Sequence, residues 1–219
     1  ARIGLAMPLQ IKLSNGNSWN TTISGTGRYW ISRDGRGHQY REDRKTGEKS
    51  LIDSTVDGIA STGDSQQVLD ISNNARFALL TIDEYGSVDL DGLPGPVNAG
   101  SNPEGPGPLY RKDLKTGIVK RVDTLSGDVK INSGWGTRSG KMSDDGRYVV
   151  FEAYDVRFAG LPKAEFNSHD WSRSLVYRKD LKTGDLITIS SNESGIPGSG
   201  YASSGGYGIG ISGDGKRAS

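Results

Sequence analysis

Tyr110-Arg-Lys-Asp-Leu-Lys-Thr-Gly117 and Tyr177-Arg-Lys-Asp-Leu-Lys-Thr-Gly184 are the same eight residues, 67 positions apart. A third version, Tyr40-Arg-Glu-Asp-Arg-Lys-Thr-Gly47, lies 70 positions before the first of them. A second string precedes each one. It reads Ile23-Ser-Gly-Thr-Gly-Arg-Tyr29, Ile71-Ser-Asn-Asn-Ala-Arg-Phe77 and Met142-Ser-Asp-Asp-Gly-Arg-Tyr148, and it returns as Ile211-Ser-Gly-Asp-Gly-Lys-Arg217. Two motifs recurring in fixed order at a near-constant period mark an internal structural repeat.

Each unit reads as β-structure. Residues 76–82 and 147–153 are rich in β-branched and aromatic residues, and residues 175–177 and 186–190 continue in the same vein. Asp145-Gly146 and Asp214-Gly215 sit between strands, where a tight turn needs a positive φ that glycine supplies. Lys-Thr-Gly does the same for the next hairpin. No window carries a sustained 3.6-residue apolar period with caps. The chain is therefore expected to be all-β, with four strands, A to D, in each unit. A lone four-stranded sheet this rich in Gly and Ser cannot bury enough surface, so neighbouring units must stack as the antiparallel blades of a β-propeller.

The strings Ser143-Asp-Asp-Gly-Arg-Tyr-Val-Val-Phe-Glu152 and Val176-Tyr-Arg-Lys-Asp-Leu-Lys-Thr-Gly184 resemble the WD40-like, TolB-type (PD40) propeller repeat of bacterial exported proteins. The resemblance runs through three full copies and two partial ones. It implies a propeller and leaves function open, because that family includes scaffolds, protease propellers and exported proteins of other roles. The first copy departs from the Asp-Gly turn with Thr26-Gly27, and the second with Asn74-Ala75. Blades are expected over about 19–53, 68–125 and 140–191, with partial strands at 5–14 and 207–219. This tally of three complete blades plus partial ones suits a segment of a larger propeller, a ring completed by pairing of the termini, or self-association through unpaired edges.

Composition removes several functions. The 219 residues carry 27 Lys+Arg against 26 Asp+Glu, which offers no electrostatic footprint for nucleic acid or an anionic membrane. No apolar run approaches the ~18 residues of a membrane span. With no cysteine there is no disulfide, thiolate nucleophile or Cys-ligated metal. Gly reaches 32 residues, and these fall at turns. The opening ARIGLAMPLQ lacks the long apolar core of a signal peptide.

The units differ mainly between strands B and C. That connection takes 11 positions from Tyr29 to Tyr40, but 33 from Phe77 to Tyr110 and 29 from Tyr148 to Tyr177. Long loops at equivalent positions of a repeat fold are often a binding face. The first insertion is acidic, and its Asp89-Leu-Asp91-Gly92 resembles half of a calcium loop without the distal Glu. It reads first as a solvated loop and only weakly as a Ca2+ site; no cofactor is expected. The second insertion carries Tyr154, Phe158, Phe166, His169, Asp170 and Trp171. A polar pair beside an aromatic plate is a kit for holding a sugar, and an anchored surface loop is the blander reading. Tyr154, Phe166, His169, Asp170 and Trp171 are thus the ligand-binding candidates. His38 reads as a turn or rim residue. Two His in the chain cannot make a His-rich metal centre.

No nucleophile elbow and no phosphate-binding loop occurs, so no catalytic residue is nominated. The repeated Arg-Lys-Asp-Leu-Lys strands read as alternating charges on a solvated face, a structural part of every blade. The expected function is a non-catalytic binding or scaffold propeller, periplasmic or at the cell surface. It would recognise a protein or glycan partner through the long B–C loops. A carbohydrate-binding propeller and the propeller part of a hydrolase or peptidase are the alternatives.

Overall fold

Every described strand of the A, B and C positions begins or ends within one of the two repeated strings, and each D strand starts two residues after the second string. The computed structural model describes residues 22–61, 67–81, 108–128, 137–153, 175–191 and 209–218. The first unit contributes β1 (Tyr29–Arg33), β2 (Gln39–Asp43) and β3 (Lys49–Leu51), joined in that order as a three-stranded antiparallel sheet. Its A position is reduced to an isolated bridge from Ile23 to Trp30. The second unit forms β4 (Gln67–Ile71), β5 (Phe77–Thr81), β6 (Leu109–Asp113) and β7 (Val119–Arg121). The third forms β8 (Thr137–Met142), β9 (Tyr148–Ala153), β10 (Leu175–Asp180) and β11 (Leu186–Thr188). Both are four-stranded antiparallel meanders in chain order. A short 3-10 turn, Ser126–Asp128, follows β7. A fourth unit is represented by the bridge from Ile211 to Ala218. The expected strand at 5–14 lies outside the described residues.

Burial shows how the sheets stack. Successive side chains of a strand point to opposite faces. All five residues of β5 are nonetheless buried, so the second sheet is covered on both sides. Ala78 and Leu80 pack with Ile31 and Ile52 of the first unit. Phe77 and Leu79 point the other way and pack with Val149, Phe151 and Tyr177 of the third. β4 lies against β8, so the A strands of neighbouring sheets converge. Sheets that stack face to face with their first strands converging are the blades of a β-propeller.

The repeated strings explain the stacking in detail. In all four units the motif Ser receives the backbone N–H from five residues on at its hydroxyl: Tyr29 to Ser24 at 3.1 Å, Phe77 to Ser72 at 2.9 Å, Tyr148 to Ser143 at 3.0 Å and Arg217 to Ser212 at 3.0 Å. The motif Arg at the start of strand B then pairs with the Asp that ends strand C. These pairs are Arg28–Asp43 at 2.6 Å, Arg76–Asp113 at 2.8 Å and Arg147–Asp180 at 2.6 Å. The same carboxylates accept the backbone N–H of Lys45, Lys115 and Lys182 and so shape the Lys-Thr-Gly turn.

The charges of strand C are engaged between blades, which corrects the expectation of a solvated face. The Arg after each motif Tyr donates to a backbone carbonyl in the A–B turn of the next unit: Arg41 to Ala75 at 3.0 Å, Arg111 to Gly146 at 2.8 Å and Arg178 to Gly215 at 3.3 Å. Each of these guanidinium groups also lies over the strand B aromatic of its own blade, 4.6–5.1 Å from the ring centroid. The motif Arg of strand B covers the same ring at 4.7–5.1 Å. The turn glycine of the next blade closes the stack. A Cβ at Gly146 would stand 2.6 Å from Cγ of Phe77, and one at Gly215 would stand 2.7 Å from Cγ of Tyr148. The following Lys reaches backwards. Lys112 donates to the Ser54 carbonyl at 2.9 Å and to its hydroxyl, and Lys179 to the Leu125 carbonyl at 2.7 Å. Both lysines are buried. Periodicity alone could not reveal this, because an exposed charge and one that crosses to the next blade look identical in a single strand.

Candidate functional site

The propeller has two ends with different tenants. At one end the B–C connections leave paired strand termini, Arg33 with Gln39, Thr81 with Leu109 and Ala153 with Leu175. The residues that follow the D strands return to the same end, since Ile52 and Val122 donate their N–H groups to the carbonyls of Gln39 and Leu109. The candidates Tyr154, Phe166, His169, Asp170 and Trp171, and the weak metal candidates Asp89 and Asp91, lie in the connections leaving this end. They fall outside the described residues.

What is described at this end is a buried acid after each of the first two D strands. Asp53 accepts the backbone N–H of Gln39 at 2.7 Å, and Asp123 that of Leu109 at 3.1 Å. Each takes one cationic or cation-forming partner. Asp123 pairs with the buried Arg121 guanidinium at 2.9 Å. Burial pushes its carboxyl up while Arg121 pulls it down. Asp53 instead meets Nδ1 of His38 at 2.7 Å and the Ser61 hydroxyl at 3.1 Å. The three residue types of a hydrolase triad are present, yet the Ser61 hydroxyl donates to the carboxylate and not to the imidazole. Among the described residues no imidazole is placed to activate that hydroxyl. His38 is the first blade's substitute for Arg121, which supports its reading as a rim residue of structural use.

Burial and pairing set the charges of the blade-binding groups. The Arg28 guanidinium holds Asp43 down to about 2. At Asp113 burial works upward, but Arg76 and the turn amides outweigh it and leave the carboxyl at about 2. Arg147 is the chief cause of a lowered Asp180. Burial lowers Lys112 to about 8, against the pull of Asp53. These groups are tuned by structural pairing, so their shifts do not mark a reactive centre.

At the opposite end lies a cavity of about 340 Å³ around which all four units meet. Gly25, Asp70, Asn73, Lys141, Asp144 and Ile211 are on its wall, with Ile71 and Met142. The A strands and A–B turns supply every one of these residues. Asp70 crosses between blades, bonding to the Lys141 ammonium at 3.1 Å and to the Met142 N–H at 2.9 Å. These residues were not among the sequence candidates. A signal was present: within the second string the positions before and after Ile/Met-Ser vary from unit to unit, reading Thr22, Asp70, Lys141 and Gly210 before it and Gly25, Asn73, Asp144 and Gly213 after it. Positions that a repeat leaves free are those its packing does not dictate.

No protein family's profile matches the sequence, and no curated protein matches it. Among solved structures the chain is similar to the tricorn protease, at 15% identity and a TM-score of 0.45, covering 95% of this chain and 17% of that one. It is also similar to the hydrazine synthase of Kuenenia stuttgartiensis, at 15% identity and a TM-score of 0.44 over 90% of this chain and 47% of that one. A third is the β-propeller domain of the trilobed protease from Pyrococcus furiosus, with an open velcro topology, at 10% identity and a TM-score of 0.39 over 77% and 40%. The chain spans less than half the length of each. Its propeller architecture stands on its own sheets and their contacts.

Proposed function

We propose that this chain is a non-catalytic binding or scaffold propeller of an exported protein, periplasmic or at the cell surface, built from WD40-like, TolB-type repeats. It engages a protein partner through the B–C connections of its second and third blades. The observation that supports this most is topological. The two long connections leave the same end of two adjacent sheets, at Thr81/Leu109 and Ala153/Leu175, whereas the first blade closes the same gap with five residues between Arg33 and Gln39. Strand pairing, turn formation and blade stacking are all completed by the short version, so the added residues serve something other than the fold. Asp170, His169 and the aromatic residues Trp171, Phe166 and Tyr154 supply contact chemistry of the kind found at interface centres.

Grafting tests this reading. The 82–108 and 154–174 connections are each replaced by Asp34-Gly-Arg-Gly-His38, and partners crosslinked to the wild type and to the graft in the native envelope fraction are compared. A partner held by the wild type and lost by the folded graft supports the proposal. Retention of the same partner by the graft contradicts it.

A further inference from the structure

We propose that the cavity at the A–B end of the axis binds a small aliphatic zwitterion, a free amino acid with an apolar side chain. This site lies at the opposite end of the strands from the B–C connections and is independent of the function proposed for them.

The functional groups on the wall have an order that argues for this class. Asp70 is satisfied by Lys141 and the Met142 N–H. Lys141 has donors to spare, because its ammonium meets one carboxylate oxygen and its side chain is 46% exposed. Among the described residues, the Asp144 carboxylate and the Asn73 amide have no hydrogen-bond partner. The cavity therefore presents an unsaturated cation and an unpaired anion on the third blade, plus an amide from the second that can donate or accept. A simple cation would meet Asp144 but leave the spare donors of Lys141 unused, and a simple anion would meet Lys141 but face the carboxylates of Asp70 and Asp144. A ligand carrying both charges satisfies both, its ammonium on Asp144 and its carboxylate on Lys141 and Asn73.

The remaining wall is aliphatic. Among the described residues Ile71, Met142, Ile209 and Ile211 line it, and no aromatic ring does. That favours a branched apolar side chain and disfavours a sugar, which seeks an aromatic plate. The volume, about 340 Å³, falls at the small end of ligand pockets. The structural device that keeps the cavity open is also visible. A side chain at Gly25 would collide with the Asn73 amide, and one at Gly213 with the Asp144 carboxylate, where a Cβ would stand 2.9 Å from Cγ. Glycine in the first and fourth units thus leaves room for the polar groups of the second and third.

The experiment is a titration followed by amide NMR shifts, using L-leucine and its two half-ligands, isoamylamine and 4-methylpentanoate. Leucine is expected to give saturable millimolar binding with shifts at Asn73, Lys141, Met142 and Asp144, and each half-ligand to bind at least tenfold more weakly. Asp144→Asn and Lys141→Gln should each lose at least tenfold in affinity. Asp144 is exposed and meets the fourth unit through its backbone N–H to the Gly213 carbonyl, a bond that Asp144→Asn keeps, so this isosteric variant decides the matter should Lys141→Gln disturb the fold. Absence of saturable leucine binding, isoamylamine binding as tightly as leucine, or undiminished affinity in Asp144→Asn would each overturn the proposal.

Discussion

Replacing Gly146 by Ala is the sharpest perturbation the blade contacts allow. Gly146 has a φ of 68°, a left-handed conformation that costs an alanine about 1–2 kcal/mol. Its added methyl would stand 2.6 Å from Cγ and 3.0 Å from Cε2 of Phe77, where carbon atoms prefer about 3.5–4.0 Å. The ring cannot move aside easily, because Arg76 and Arg111 cover it at 4.9 and 4.6 Å. Separating the blades by about an ångström would stretch the 2.8 Å bond from Arg111 to the Gly146 carbonyl. Overpacking of this kind costs roughly 1–3 kcal/mol, so the total destabilisation should be about 2–5 kcal/mol. Equilibrium urea unfolding reads it directly. The second blade provides the internal control. There Ala75 takes the same turn position with φ 57° and is fully buried in the contact with the first blade, so Ala75→Gly should change stability by under about 1 kcal/mol. A Gly146→Ala variant as stable as the wild type would refute the claim that the turn is wedged against the neighbouring ring.

Acid should unfold the protein through its Arg–Asp pairs. Unfolded carboxyls of Asp43 and Asp113 take their protons near 3.8 and the folded ones near 2, so stability should fall as pH drops through that window; urea midpoints constant from pH 5 to pH 2 would contradict this. Lys112 carries the same sense at higher pH. With its folded value near 8 and its unfolded value near 10.5, its contribution rises with pH across that range, and a titration of its Cε resonance should be centred near 8, with a midpoint above 10 counting against a buried ammonium. His38→Ala leaves the buried Asp53 one hydrogen bond short and should cost about 1–3 kcal/mol, while His38→Gln should recover part of the loss. Equal thermal midpoints for wild type and His38→Ala would remove His38 from its place as partner of Asp53.

The blade plan was legible because the same local chemistry repeats: Ser accepts a turn amide, Arg meets Asp, glycine turns the chain. Any one copy is ambiguous, and their spacing is not. The partner of each Arg was harder to read. Arg111 and Arg147 both sit beside an aromatic position in sequence, yet one spans two blades and the other closes its own. That difference depends on which sheet face a residue occupies and on what stands opposite, neither of which a linear pattern contains. Asp70 and Lys141 were missed for the same reason, since they come from strands 71 residues apart and meet only where the blades converge. Aromatic-rich loops, by contrast, are conspicuous in sequence. Their candidates Phe166, His169, Asp170 and Trp171 were named from composition and position alone, and a fold-level account does not bear on them.

The central claim is that consecutive sheets stack radially, with Gly146 and Gly215 seated on the aromatic rings of the preceding blades, Phe77 and Tyr148. A nuclear Overhauser measurement between the Gly146 Hα protons and the Phe77 ring tests it most directly. Strong cross-peaks, with one Hα shifted upfield by the ring current, are predicted. A Gly146 spectrum with ordinary Hα shifts and no cross-peak to Phe77 would mean that the second and third sheets do not meet in this way.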